Sequence, residues 1–207
     1  MIDPHLFALF MAGALALNLT PGPDMAFVLS QSSHGGARQG VAAALGVGVG
    51  SLLHMALAAF GLTALITAWP LAFDLIRYGG AAYLLWIAIG MLRHPPQLSA
   101  GTAETGAWTA FRRGALTNAM NPKVAMFFIA YLPLFVSPHG APAWLQILVL
   151  GLAFDVSGAV VNSLVAVAGG RLATRLRRNP RLGQVMGWIS GGVMGALALR
   201  LAWPAKG

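Results

Sequence analysis

The sequence predicts an all-α integral membrane protein, a single bundle of six transmembrane helices built as two three-helix halves. Three observations lead there. Apolar residues make up 57% of the 207 and charged residues only 9%, with a mean hydropathy of +0.73, far from the balance of a water-soluble domain. The length divides into six apolar spans of about 20 to 25 residues with short connections, which leaves nothing for a separate soluble domain. Finally, the first and fourth spans are each interrupted by proline at corresponding places, the pattern of a transporter whose halves meet at a central site.

The spans fall near 4–30, 40–67, 70–92, 113–136, 144–169 and 184–203. The first begins with the apolar run Leu6 to Ala16; Met1-Ile2-Asp3 carries no Lys or Arg, which argues against a cleaved signal peptide. It is broken at Asn18-Leu19-Thr20-Pro21-Gly22-Pro23-Asp24. Pro21 and Pro23 remove backbone donors and Gly22 loosens the turn, so the freed carbonyls must find partners in other helices or in a wet cavity. The second span carries Gly46-x-x-x-Gly50, which lets helices approach closely, and His54 one turn from Ser51. In the third, Asp74 and Arg77 are one turn apart and read as a snorkelling pair. The connection after it, with Pro95, Pro96 and Gly101, is the longest and reads as the hinge between halves. The fourth span is broken at Asn121-Pro122-Lys123, and Pro23-Asp24-Met25-Ala26 lines up with Pro122-Lys123-Val124-Ala125. One device recurs with opposite charges. In the fifth span Asp155 and Asn162 share a helix face, with Ser157 and Ser163 nearby. The sixth carries Gly187-x-x-x-Gly191-x-x-x-Gly195, suited to packing within the monomer or to a homodimer. Residues 1–207 thus form one domain, with a first repeat over about 1–95 and a second over about 110–207. Three spans per half force the second half to enter the membrane from the opposite side, an inverted-topology repeat with helices 1 and 4 broken.

The formal charge is +8, but the basic residues fall between apolar runs, so no basic face for nucleic acid is implied. Arg38 lies in the first loop, Arg93, Arg112 and Arg113 bound the third, and Arg171, Arg175, Arg177, Arg178 and Arg181 crowd the fifth. That excess places the odd-numbered loops in the cytoplasm and both termini outside, with anionic membrane lipid a secondary partner of the last cluster. Cysteine is absent, which excludes thiol chemistry and iron–sulfur clusters. No hydrolase, P-loop or zinc-protease motif is present, so neither an enzyme nor a bound cofactor or metal is expected.

Several segments carry a family resemblance: Thr20-Pro21-Gly22-Pro23-Asp24 followed by Gly35-Gly36-x-x-x-Gly40; Gly80-Ala81-Ala82-Tyr83-Leu84-Leu85-Trp86; Phe111-Arg112-Arg113-Gly114 leading to Asn118-x-x-Asn121-Pro122-Lys123; and Phe127-Phe128 with Pro133-x-Phe135-Val136. Together they make the chain resemble the LysE/RhtB amino-acid exporters along most of its length. The resemblance implies a bacterial inner-membrane protein with periplasmic termini that exports amino acids or derivatives such as homoserine, its lactone or threonine in exchange for protons. Leu134, where the family often has a polar residue, and Asp155 depart from its pattern.

Asp24, Lys123 and Asp155 each sit in an apolar span, where a charge costs roughly 2.5–3.5 kcal/mol near the bilayer centre. Such groups must pair, shift protonation or line a wet cavity, and a zwitterionic amino acid needs one group of each sign. Lys123 is the candidate for its carboxylate, with the half-helix that begins at Pro23 offering free N–H groups beside it. Asp24 is the candidate for the amino group and for proton coupling. The competing reading is a structural Asp24–Lys123 ion pair that locks the halves together. Asn18, Thr20, Asn118 and Asn121 either satisfy backbone groups freed at the breaks or contact the solute, while Pro21, Gly22, Pro23 and Pro122 shape the backbone. His54 reads as a proton relay or a packing histidine. Asp155 either competes for Lys123 or lies shallow enough to be solvated. Phe27, Phe127 and Phe128 read as an apolar gate or as ordinary packing. Two alternatives to amino-acid export remain at this point: a divalent metal-ion exporter, which would want more hard ligands than Asp24 and Asp155, and a non-transporting membrane scaffold.

Overall fold

The computed structural model describes residues 3–62, 69, 71–93, 106–137 and 140–203, and all of its regular structure is helical. Helix α1 spans Pro4–Leu19. Its start is fixed by Asp3, whose carboxylate accepts from the amides of His5 at 2.7 Å and Leu6 at 3.1 Å, and by Pro4 at the first helical position. It ends where Thr20 turns extended ahead of Pro21. Helix α2, Pro23–Ala56, starts with Pro23 in its first turn and runs on as a π-helical stretch, Leu57–Leu62. Helix α3 is Leu71–Arg93 and α4 is Ala107–Ala119. After the second break come α5, Pro122–Met126, a π turn over Phe127–Tyr131 and a 3-10 turn over Leu132–Phe135. Helix α6 is Ala143–Arg178 and α7 is Pro180–Ala202.

Four of these helical stretches, Pro23–Gly61, Asp74–Arg93, Ala143–Gly169 and Gln184–Ala202, are long and apolar enough to cross a bilayer, and Pro4–Leu19 and Pro122–Phe135 are shorter apolar helices. The chain is an all-α multi-pass membrane protein. Leu45, Leu52, Val160, Leu164, Val167 and Ile189 are exposed, as a lipid-facing surface requires, and all six tryptophans lie on the outside. Asp24, His54, Asn118, Asn121 and Lys123 are buried.

Some of the expected loops are helix instead, but the first is a corner. Beside Arg38, α2 consists of two helices that meet at Gly36, φ 74° and ψ 176°, and the second doubles back on the first, since a Cβ on Gly40 would lie 2.5 Å from Ser32 Cβ. Such a φ suits glycine because it has no Cβ. Arg112 and Arg113 sit on α4, whose buried residues Ala110, Gly114 and Asn118 recur every fourth position. Positions 171–178 complete α6, so that only Asn179 separates it from Pro180. Pro95, Pro96, Gly101 and Lys206 lie outside the described residues. Arg77 does not snorkel with Asp74: it is buried, and its guanidinium donates to the carbonyls of Leu201, at 2.6 Å from Nε, and Trp203. It thereby places a cation on the C-terminal end of α7.

Glycine sets the closest helix contacts. Helix α2 packs mainly on α4 and α6, and α3 on α7. A Cβ on Gly46 would lie 2.0 Å from the Phe111 carbonyl oxygen, one on Gly50 2.3 Å from that of Ala115, and one on Gly114 2.3 Å from that of Ala43. The stripe on α7 packs inside the monomer, since a Cβ on Gly191 would lie 3.0 Å from the Ala88 carbonyl oxygen and 2.8 Å from Leu92 Cγ, whereas one on Gly192 meets nothing within 4 Å. Gly191→Ala is therefore expected to lower the thermal midpoint in detergent by parting α3 from α7, at a cost of ~1–3 kcal/mol. Gly192→Ala should instead hold or raise it by up to ~1 kcal/mol. Equal behaviour of the two variants would contradict this packing.

The main core is aromatic. Phe127 lies 5.7 Å from Phe10, 5.1 Å from Tyr131 and 4.6 Å from Phe154, ring centre to ring centre. Phe27 packs with a separate cluster around Val28, Ala43 and Ala166, so the three phenylalanines considered for a gate do not come together.

Candidate functional site

The two breaks cap each other. At the second, Asn121 Oδ1 accepts from the amide of Lys123 at 3.0 Å and so caps α5, while its Nδ2 crosses to Asp24 Oδ2 at 2.8 Å. Asn118, in the last turn of α4, donates to the same oxygen at 2.9 Å. In return the Lys123 ammonium reaches the end of α1, where its Nζ donates to the carbonyls of Thr20 at 3.1 Å and Leu17 at 3.4 Å. The Thr20 carbonyl lies at the Pro-Gly-Pro break, and that of Leu17, which also accepts from the Thr20 amide at 3.1 Å, loses its usual helical partner at Pro21; a cation there also complements the helix dipole. Thr20 adds a bond from its own hydroxyl to the Ala16 carbonyl at 2.7 Å.

The two breaks are thus tied by amide-to-carboxylate and ammonium-to-carbonyl bonds, with no direct hydrogen bond between Asp24 and Lys123. Asp24 Oδ1 is buried without a hydrogen-bond partner. So are Asn118 Oδ1 and Asn162 Oδ1, although buried polar atoms are ordinarily paired.

Asp24, Lys123, Asn18, Thr20, Asn118 and Asp155 line one cavity, together with Ser51 and Asn162. The apolar part of its wall is formed by Leu17, Met25, Val47, Val124 and Phe154. The free space measures about 30 Å³, above the roughly 10–15 Å³ that admits one water and well short of an amino acid. A solute of that size enters only when the walls part. Asn18 is held in the wall by bonds from its Nδ2 to the Phe154 carbonyl at 3.2 Å and to Ser157 Oγ at 3.0 Å. Asp155 accepts from Ser51.

Two candidates from the sequence stand off the cavity. Asn121 caps α5 and orients Asp24. His54 bonds through Nε2 to the Asn118 carbonyl at 3.0 Å and stacks on Phe128; a carbonyl only accepts, so Nε2 carries the proton. The apolar wall and the reach of Ser51 to Asp155 were not anticipated. Their signal was the helical spacing of Val47 and Ser51 on α2 and of Asp155, Gly158, Ala159 and Asn162 on α6.

Gly22 bears directly on the ammonium. A Cβ there would lie 2.9 Å from Lys123 Nζ, and its φ of −157° is open to any residue. Gly22→Ala is therefore expected to fold and to displace only the flexible lysine tip. Solute affinity should weaken by about tenfold, ~1.4 kcal/mol, as read from the concentration dependence of exchange; unchanged affinity would separate Lys123 from the solute.

Comparison with known proteins decides the class. The family model for the LysE type translocator matches residues 15–204. The chain belongs to the LysE family. This LysE-family protein is accordingly a membrane translocator and not an enzyme. It is 35% identical to an uncharacterized membrane protein of Pseudomonas aeruginosa over 85% of both chains. It is 29% identical to a leucine efflux protein of an Enterobacter strain, over 95% of this chain and 94% of that one. It is also 28% identical to a leucine efflux protein of Klebsiella pneumoniae, over 93% and 92%. No solved structure matches this LysE-family chain.

Proposed function

We propose that this protein exports neutral amino acids with small or aliphatic side chains from cytoplasm to periplasm across the bacterial inner membrane, in exchange for protons. The observation that carries the reading is the set of three buried, unpartnered acceptors, Asp24 Oδ1, Asn118 Oδ1 and Asn162 Oδ1, on residues that line one cavity with Lys123. An ammonium group brings three donors, and a carboxylate answers the lysine. Asp24 then takes the solute's amino group, with Asn118 and Asn162 as neutral acceptors. Lys123 Nζ, beside the N-terminus of α2, takes its carboxylate. The apolar wall from Val47 to Phe154 takes the side chain, and the naming of two relatives as leucine efflux proteins supports an aliphatic one. Homoserine and threonine fit the same scheme through Thr20 and Ser51.

The test is counterflow in proteoliposomes loaded with a panel of unlabelled amino acids. Labelled leucine or a similar neutral amino acid is expected to exchange and to be inhibited by its neighbours in size. Exchange of lysine or of divalent cations alone would overturn the reading, as would exchange of nothing.

A further inference from the structure

Ser51 has one hydroxyl hydrogen and two acceptor neighbours. Its Oγ lies 2.9 Å from the carbonyl oxygen of Gly48 and also bonds Oδ1 of Asp155. A backbone carbonyl never donates. Among the described residues the Ser51 hydroxyl is the one donor that reaches Asp155, and it shares its hydrogen with the Gly48 carbonyl; no cation or amide bonds this carboxyl. Asp24 is held differently, by two donor amides on Oδ2, with Lys123 lining the same cavity. The two carboxyl groups of one cavity thus differ in how well the protein holds their charge.

From this geometry we infer that Asp155, and not Asp24, carries the exchanged proton, with the Ser51 hydroxyl as its partner in either protonation state. The inference rests on the exporter reading and assigns its coupling residue. The charged groups that share the cavity are Asp24 from the start of α2 and Lys123 from α5; farther along α2, His54 is bonded to the Asn118 carbonyl and is not part of this lining. The wall contributed by α1, with Asn18 and Thr20, carries no titratable group. With Asp155 protonated, the cavity charge is balanced by Asp24 and Lys123 alone, and the walls close without a solute. When the cavity opens to the cytoplasm the proton passes from Asp155 Oδ1 to water, leaving the carboxylate. That charge has the Ser51 hydroxyl as its donor but no cation bonded to it, so it keeps the site hydrated and open to a solute ammonium. Opening to the periplasm returns a proton from water to Asp155 as the solute leaves. Proton and solute therefore alternate, as antiport demands.

Two measurements test the assignment. In detergent at neutral pH, the infrared carbonyl stretch of a protonated carboxylic acid is expected in the wild type and in Asp24→Asn and is expected to be lost in Asp155→Asn. Absence from the wild type, or persistence in Asp155→Asn, overturns the proposal. In proteoliposomes, an acid lumen should drive accumulation of labelled leucine by the wild type and by Asp155→Glu. For Asp155→Asn this gradient-driven accumulation should be lost, while exchange stays measurable and ceases to vary with pH. Gradient-driven accumulation by Asp155→Asn overturns the assignment, and so does loss of all exchange in a monodisperse Asp155→Asn protein, which would make the residue a solute or structural contact. Wild-type protein that exchanges no amino acid would instead bring down the exporter reading on which the assignment rests.

Discussion

Asp24→Asn is expected to abolish amino-acid exchange while leaving a folded protein. The carboxylate has two jobs that the substitution separates. Its Oδ2 accepts from Asn118 and Asn121, and an asparagine oxygen at that place accepts both bonds, so the junction of the two breaks survives. Its unpartnered Oδ1 is the acceptor that the proposed function offers to the solute, and an amide nitrogen there would present a donor to an ammonium. A hydrogen bond to a charged group contributes ~1.5–3 kcal/mol, and reversing its sense adds repulsion. Exchange should therefore fall by about 100-fold or more, taking 1.4 kcal/mol per factor of ten. Asp24→Ala should fail differently, because two buried amides lose their acceptor at ~1–3 kcal/mol each, and yield and thermal midpoint should drop with activity. Robust exchange by a well-folded Asp24→Asn protein would remove the carboxylate from the solute site.

Gly46→Ala should have the largest effect on stability among single-methyl changes. The added Cβ would stand 2.0 Å from the Phe111 carbonyl oxygen and 2.8 Å from its carbon, and backbone cannot rotate aside as a side-chain tip can. Helices α2 and α4 must separate, at ~1–3 kcal/mol or more. Because α4 also supplies Asn118 to Asp24, the same separation loosens the solute site, so exchange should decline in step with the thermal midpoint. Gly90→Ala is the matched control: it meets nothing within 4 Å and should be neutral or stabilising by up to ~1 kcal/mol. A Gly46→Ala protein as stable as Gly90→Ala would mean that the two helices do not touch there.

The membrane class and the positions of both breaks were legible because hydrocarbon penalises charge and proline removes donors, and both effects act on single residues. That Asp24 and Lys123 line one cavity followed from the same cost argument. Their bonding pattern did not. An ion pair and the observed cross-capping place the same residues in the same region, and only the positions of Asn118, Asn121, Leu17 and Thr20 around them decide between the two. The corner beside Arg38 was legible in Gly35-Gly36 and the charge next to it, but at Arg112 and Arg171 helix stands where loops were expected, because charge marks where a chain meets water, not where its helix stops. Arg77 was misread for a related reason: Asp74 is the nearer group in sequence, but the open carbonyls of Leu201 and Trp203 on another helix are the better acceptors.

Gly36 gives the molecule a mechanical property. It is the single non-helical joint in the stretch that carries Asp24 on one arm and Ser51 on the other, so those arms form a lever pivoting on one residue. A few degrees of swing at that pivot alters the separation of Asp24 from Ser51 and, through Ser51, from Asp155. Under the roles proposed for Asp24 and Asp155, the grip on the solute and the grip on the proton are thereby geared to one another by the backbone itself.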